Sequence, residues 1–143
     1  MSVKNEVKMT LYSANENVAI ARVTTAAFAA QSEFTVNEIE DIKVAISEAV
    51  SNAIIHGYKD QFGIIELTMT LYDDWVEFII SDFGQGIEDI ALARRPAFST
   101  DPERMGLGFV FMESFMDELS VESAVNQGTT VRMIKRCELK SVH

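Results

Sequence analysis

The feature that most constrains this chain is residues 35–57, a run with helical periodicity and no interruption. Ile39, Ile42, Ile46, Ala49, Val50, Ala53 and Ile54 recur at helical spacing, with no proline or glycine before Gly57. Thr35 and Glu38 form a possible capping box at the start, and Gly57 is expected to stop the helix in a left-handed conformation. Glu48, Asn52 and His56 fall at i, i+4 and i+8. Each step of four residues turns about 40° round the axis, so the three side chains share one edge. A carboxylate, a carboxamide and an imidazole on a core-like helix need polar partners wherever they are buried. A solvated helix edge is the plain alternative, and the helix alone does not decide.

Composition narrows the choice. The length of 143 residues suits one domain with a proper core, expected to span residues 1–143. No apolar run approaches the ~18 residues of a membrane span, and the first residues lack the apolar core of a secretory signal. The single cysteine, Cys137, excludes an internal disulfide, and two distant histidines argue against structural zinc. A cytoplasmic location is the simplest expectation. The net charge of −10 disfavours a nucleic-acid partner, because phosphate backbones reward clustered Lys and Arg.

In chain order, residues 7–13 alternate as a half-buried strand does. Asn15 or Asn17 can cap an alanine-rich helix running to about Gln31, on which Arg22 is the only basic residue. After the central helix, residues 64–72 and 75–81 read as two strands joined by a tight turn at Asp73-Asp74. The second strand runs into Asp82-Phe83-Gly84-Gln85-Gly86. Residues 87–105 lose periodicity and hold both prolines, Pro96 and Pro102, with Arg94, Arg95 and Arg104, which reads as a lid. Gly106-Leu107-Gly108 opens a helix to Met116, and residues 119–123 and 129–136 form a last strand pair. Residues 138–143 are a polar tail, expected to be loose. The order βα-α-ββ-lid-α-ββ predicts an α+β fold: a two-layer α/β sandwich with helices on one face of a mixed, mostly antiparallel sheet.

The motifs carry chemistry. An aspartate leaving a strand can accept a hydrogen bond from an exocyclic amine, and its two glycines, Gly84 and Gly86, let backbone approach a flat ring. A glycine pair at a helix start offers N–H groups and a positive dipole end to phosphate oxygens, and Arg104 beside it can pair with a terminal phosphate. No P-loop or Rossmann glycine pattern is present. Thr130 could add a hydroxyl to a nucleotide pocket, or be an ordinary strand threonine. For Arg94 and Arg95 surface charge is the simpler account.

The motifs in this order, ExxxNAxxHG, DxGxG, GxG behind a lid, then GTT, resemble the Bergerat-fold ATPase superfamily. That superfamily includes gyrase, Hsp90, the mismatch-repair ATPases and the histidine kinases. SEAVSNAIIHGY and MGLGFVFMESFMDEL look most like the small serine kinases of the sporulation anti-sigma F family. The resemblance implies that Asn52 holds Mg²⁺ on the ATP phosphates and that Glu48 is the general base. It implies that Asp82, with Gly84, Gly86 and Thr130, forms the adenine pocket, and that Gly106, Leu107 and Gly108 meet the phosphates. Arg104 is implied at the γ-phosphate and His56, less firmly, beside the lid. The implied reaction transfers the γ-phosphoryl group of ATP to a serine of an anti-anti-sigma STAS protein. A homodimer holding ATP or ADP would sequester a sigma factor, with Arg22 as a partner contact. Three alternatives stand beside this. One is a stress-response relative, one a sequestering module without turnover, and one a detached histidine-kinase ATPase domain; Glu48 argues against the second.

Overall fold

The computed structural model describes residues 2–95 and 105–137. Arg104, the rest of the lid at 96–104 and the tail at 138–143 lie outside the described residues.

The first strand, β1 (Asn5–Tyr12), is followed by α1 (Glu16–Ala29) and α2 (Val36–Asn52). Thr35 caps α2 as expected: its hydroxyl accepts from Glu38 N at 3.1 Å while the Glu38 carboxylate accepts from Thr35 N at 2.8 Å. Neither asparagine caps α1 as expected. Asn15 makes no side-chain cap bond, and the Asn17 amide instead donates to Tyr12 O at 2.8 Å, closing the turn out of β1.

The central helix does not run unbroken to Gly57. It is α-helical to Asn52 and then widens into one π turn, Ala53–Gly57. Gly57 has no positive φ; the left-handed residues are Lys59 (φ 50°) and Asp60 (φ 61°), two and three positions later. The glycine is required for another reason, close packing against Asp82, described below.

The hairpin β2 (Ile64–Leu71) and β3 (Trp75–Asp82) leads to a short helix, α3 (Ile90–Ala93), then to α4 (Met105–Phe115). The chain closes with β4 (Glu118–Ala124) and β5 (Gly128–Arg136). Strand order is β1-β2-β3-β5-β4, and all four ladders are antiparallel. Among the described residues the mixed character expected of the sheet is therefore absent. The connection through α4 lays β4 parallel to β3, but β5 returns between them, so no parallel pair forms.

Ile65, Leu67, Met69, Val76, Phe78, Ile80, Val131 and Met133 form the sheet's inner face, each at most 5% exposed. Against it lies the inner side of α2 and of the π turn, where Ile42, Ile46, Val50 and Ile54 are at most 2% exposed. Each such side chain contributes roughly 1.5–3 kcal/mol by leaving water. Phe109, Met112 and Met116 anchor α4 on the same core. Lys135, 9% exposed, faces inward too; its ammonium donates to Phe115 O at 2.6 Å and lies 3.4 Å from Asp41. One cation thus ties β5 to the end of α4 and to α2.

Candidate functional site

Strand alternation sets the first functional side chain. Val76, Phe78 and Ile80 face the core, and the next step of two places Asp82 on that face at the strand's end, only 7% exposed. Burial pushes the Asp82 carboxyl above its usual range, while N–H groups of Gly84 and Thr129 pull the other way. The Gly84 N–H donates to Oδ1 at 3.0 Å. A Cβ on Gly57 would stand 2.9 Å from that carboxylate, so only glycine lets the π turn close over Asp82.

The loop after β3 is fastened to the π turn. Gln85 N donates to Gly57 O at 2.9 Å, and the Gln85 side-chain amide donates to His56 O at 2.6 Å. These are carbonyls of the last two residues of the turn, which have no partner within the helix, and Gln85 takes them up. Tyr58 completes the clasp: its hydroxyl accepts from Phe83 N at 2.7 Å and donates to Ile64 O at 2.5 Å. Gly84 packs against the Gly57 carbonyl, and Gly86 (φ +75°) against Ala124.

A narrow cleft opens where these elements meet, lined by Asn52, His56, Asp82, Gly86, Phe109 and Thr129 among others. The structure thus gathers four expected site residues, Asn52, His56, Asp82 and Gly86, into one cavity. Thr130 is not among them. It pairs with Ser81 on the opposite sheet face, its hydroxyl 3.1 Å from Ser81 Oγ, whereas Thr129 pairs with Asp82. A shift of one residue along a strand exchanges faces, so the pocket hydroxyl belongs to Thr129. Inward-facing Val131 and Met133 were the signal that could have identified it.

Gly106, Leu107 and Gly108 form the first turn of α4, where backbone N–H groups lack partners within the helix. A Cβ on Gly108 would lie 3.0 Å from Glu48 Oε1 and 3.3 Å from Asn52 Nδ2, so this turn rests against the acid–amide pair of α2. Asn52 Nδ2 is buried with no hydrogen-bond partner among the described residues. Such an atom is costly unless something else occupies the site. Glu48 is half-buried, and burial pushes its carboxyl above the usual range. It lines a second hollow with Arg22 and Ser47, where Arg22 Nε donates to Ser47 Oγ at 2.9 Å. Arg94 is paired on the surface with Glu113 at 3.0 Å.

The profile of the histidine kinase-like ATPase domain matches residues 11–135. The anti-sigma F factor of Geobacillus stearothermophilus is 47% identical over an aligned length of 144 residues, covering 98% of this chain and 99% of the relative. That of Anoxybacillus flavithermus is 46% identical over 136 residues, 93% of each chain. Among solved structures, the RsbU and RsbW domains of a Mycobacterium tuberculosis protein superpose with a TM-score of 0.67 at 24% identity. The match takes 93% of this chain but only 32% of that one, so this chain spans about a third of its length. The mycobacterial sensor histidine kinase MprB superposes with a TM-score of 0.58 at 17% identity, over 91% of this chain and 97% of the other. At those identities the two structures establish the shared fold.

Proposed function

The chain belongs to the anti-sigma F family of histidine kinase-like ATPases, and from that premise we propose that it is an ATP-dependent protein serine kinase that also sequesters a sigma factor. The contact at Gly108 carries the reading. A helix N-terminus suited to phosphate oxygens meets, on one side, a partly desolvated carboxylate and a buried amide nitrogen with no partner among the described residues.

The base of ATP would enter the cleft beside Asp82 and Thr129, with the phosphates against the first turn of α4. Mg²⁺ suits the donor set. No group of three His, Cys, Asp or Glu among the described residues could hold a metal unaided, so a cation beside Asn52 would draw most ligands from phosphate and water, as Mg²⁺ does. When bound, it would offset the charge of the phosphate oxygens. Asn52 would hold the cation through its amide oxygen.

Glu48 would accept the proton of the attacking serine hydroxyl. The serine oxygen bonds to the γ-phosphorus, the bond from that phosphorus to the β–γ bridging oxygen breaks, and ADP leaves. A carboxyl made more basic by burial suits this role better than an exposed one. The serine would come from an anti-anti-sigma STAS protein, and the sigma factor would bind a homodimer, with Arg22 as one contact. Among the described residues no helix is long and apolar enough to cross a membrane.

The test is transfer of labelled phosphate from ATP, with Mg²⁺, to a cognate STAS protein, comparing wild type with Glu48→Gln. Label on a partner serine, lost in the variant, supports the kinase and the base together. Nucleotide-dependent sigma binding without label in the wild type would reduce the protein to a sequestering module.

A further inference from the structure

Behind the base pocket, Ser123 on β4 makes contacts that constrain its only proton. Its Oγ accepts from Ile87 N at 2.7 Å, donates to Gly128 O at 2.9 Å, and lies 2.8 Å from Thr129 Oγ1. A hydroxyl has one proton and two lone pairs. The carbonyl of Gly128 can only accept, and the amide of Ile87 can only donate. One arrangement satisfies all three contacts at once: Ser123 donates to Gly128, and Thr129 donates to Ser123. The Thr129 proton then points away from the cleft, and what its oxygen offers a ligand is lone pairs.

Thr129 stands opposite Asp82 in the β3–β5 ladder, and both line the cleft. An ionised carboxylate accepts and does not donate. The wall therefore presents two neighbouring acceptors, and a 6-amino purine brings the donor they need. A 6-oxo purine would set the lone pairs of O6 against them, and the N1–H beside O6 could satisfy only one of the two, leaving a buried acceptor unpaired, the situation that produces strong discrimination in polar sites. Ser123 is not part of the cleft lining, so it acts on the ligand through Thr129.

Resting on the nucleotide reading above, we propose that Ser123 is a positioning residue which holds the Thr129 hydroxyl as an acceptor and thereby selects 6-amino over 6-oxo purine nucleotides. Replacing it with alanine releases the Thr129 proton, which can then turn toward the cleft and serve a 6-oxo group.

The experiment is calorimetric titration of the full chain with ADP and with inosine diphosphate, for wild type, Ser123→Ala and Ser123→Thr. The wild type prefers ADP. In Ser123→Ala the ADP-to-inosine-diphosphate affinity ratio falls by about tenfold, the range of one hydrogen bond, and in Ser123→Thr, which restores the hydroxyl, the ratio returns. Thermal melting checks the fold; should Ser123→Ala not fold, Thr129→Val, which deletes the acceptor, decides by the same fall in ratio. A ratio unchanged from wild type, or equal weakening of both nucleotides, overturns the proposal and leaves the ATP reading standing. A wild type that binds neither nucleotide overturns both.

Discussion

Gly108→Ala separates stability from function at the site. The added methyl would lie 3.0 Å from Glu48 Oε1, 3.3 Å from Asn52 Nδ2 and 3.4 Å from Asn52 Oδ1. All three atoms are ends of side chains, which can yield by a few tenths of an ångström without moving backbone. Alanine is also the better helix former, by up to ~1 kcal/mol, in the first turn of α4. The variant should thus fold normally, with Tm unchanged or higher by about 3 °C for a chain of this size. Function should suffer. A misplacement of 1 Å near the chemistry can cost about a hundredfold, so a shift of several tenths at the acid–amide pair should lower phosphoryl transfer by about tenfold. The assay pairs thermal melting without nucleotide with transfer from labelled ATP. Transfer within about twofold of wild type in a fully folded Gly108→Ala protein would refute the reasoning, because phosphate would then not meet the Glu48–Asn52 edge. Gly106→Ala is the contrasting control. Its methyl would run into the backbone carbonyl of Arg95, which cannot yield alone, so this variant should lose stability as well as activity.

Thr129→Val should weaken nucleotide binding by about tenfold, whereas Thr130→Val should leave it within about twofold, because only Thr129 shares a face with Asp82; equal effects in a titration would contradict this. Phosphoryl transfer should fall on acidification with an apparent pKa above 4.5, the ordinary Glu value, since burial raises the Glu48 carboxyl and the base must be ionised; a pH–rate profile reads this. Asp82 has a raised folded pKa as well. Its contribution to stability is fully present below the ordinary 3.8 and lost as pH rises through the folded value, so Asp82→Asn should remove that part of the slope in nucleotide-free melts across pH. Lys135→Met should lower stability by about 1–2 kcal/mol, seen as a Tm fall of roughly 3–6 °C, by uncapping Phe115 O and unpairing Asp41; an unchanged Tm would show that the buried cation contributes nothing.

Much of the fold was legible because it rests on local periodicity. The capping box at Thr35 and Glu38 and the strand alternation are short-range patterns, and the element order follows from such patterns. Errors arose where a residue answers to a distant one. Gly57 reads as a helix stop in isolation, but the Asp82 carboxylate 25 residues later is what excludes a side chain there. Within the glycine-led strand start, Thr129 and Thr130 differ only in which face they present, and the ladder with β3 decides that.

By itself the sequence determined which residues could do the chemistry. Glu48 and Asn52 lie one turn apart on a helix, Asp82 ends an alternating strand, and a glycine pair opens α4; each follows from the 3.6- and 2-residue periods of the backbone. Only the tertiary structure decided how they meet. Gln85 of the loop after β3 takes up the carbonyls at the end of the π turn, Gly108 seats α4 against Glu48 and Asn52, and Ser123 orients a hydroxyl from behind. These contacts join segments tens of residues apart. Local periodicity specifies the direction each side chain faces and carries no information about what will stand opposite it.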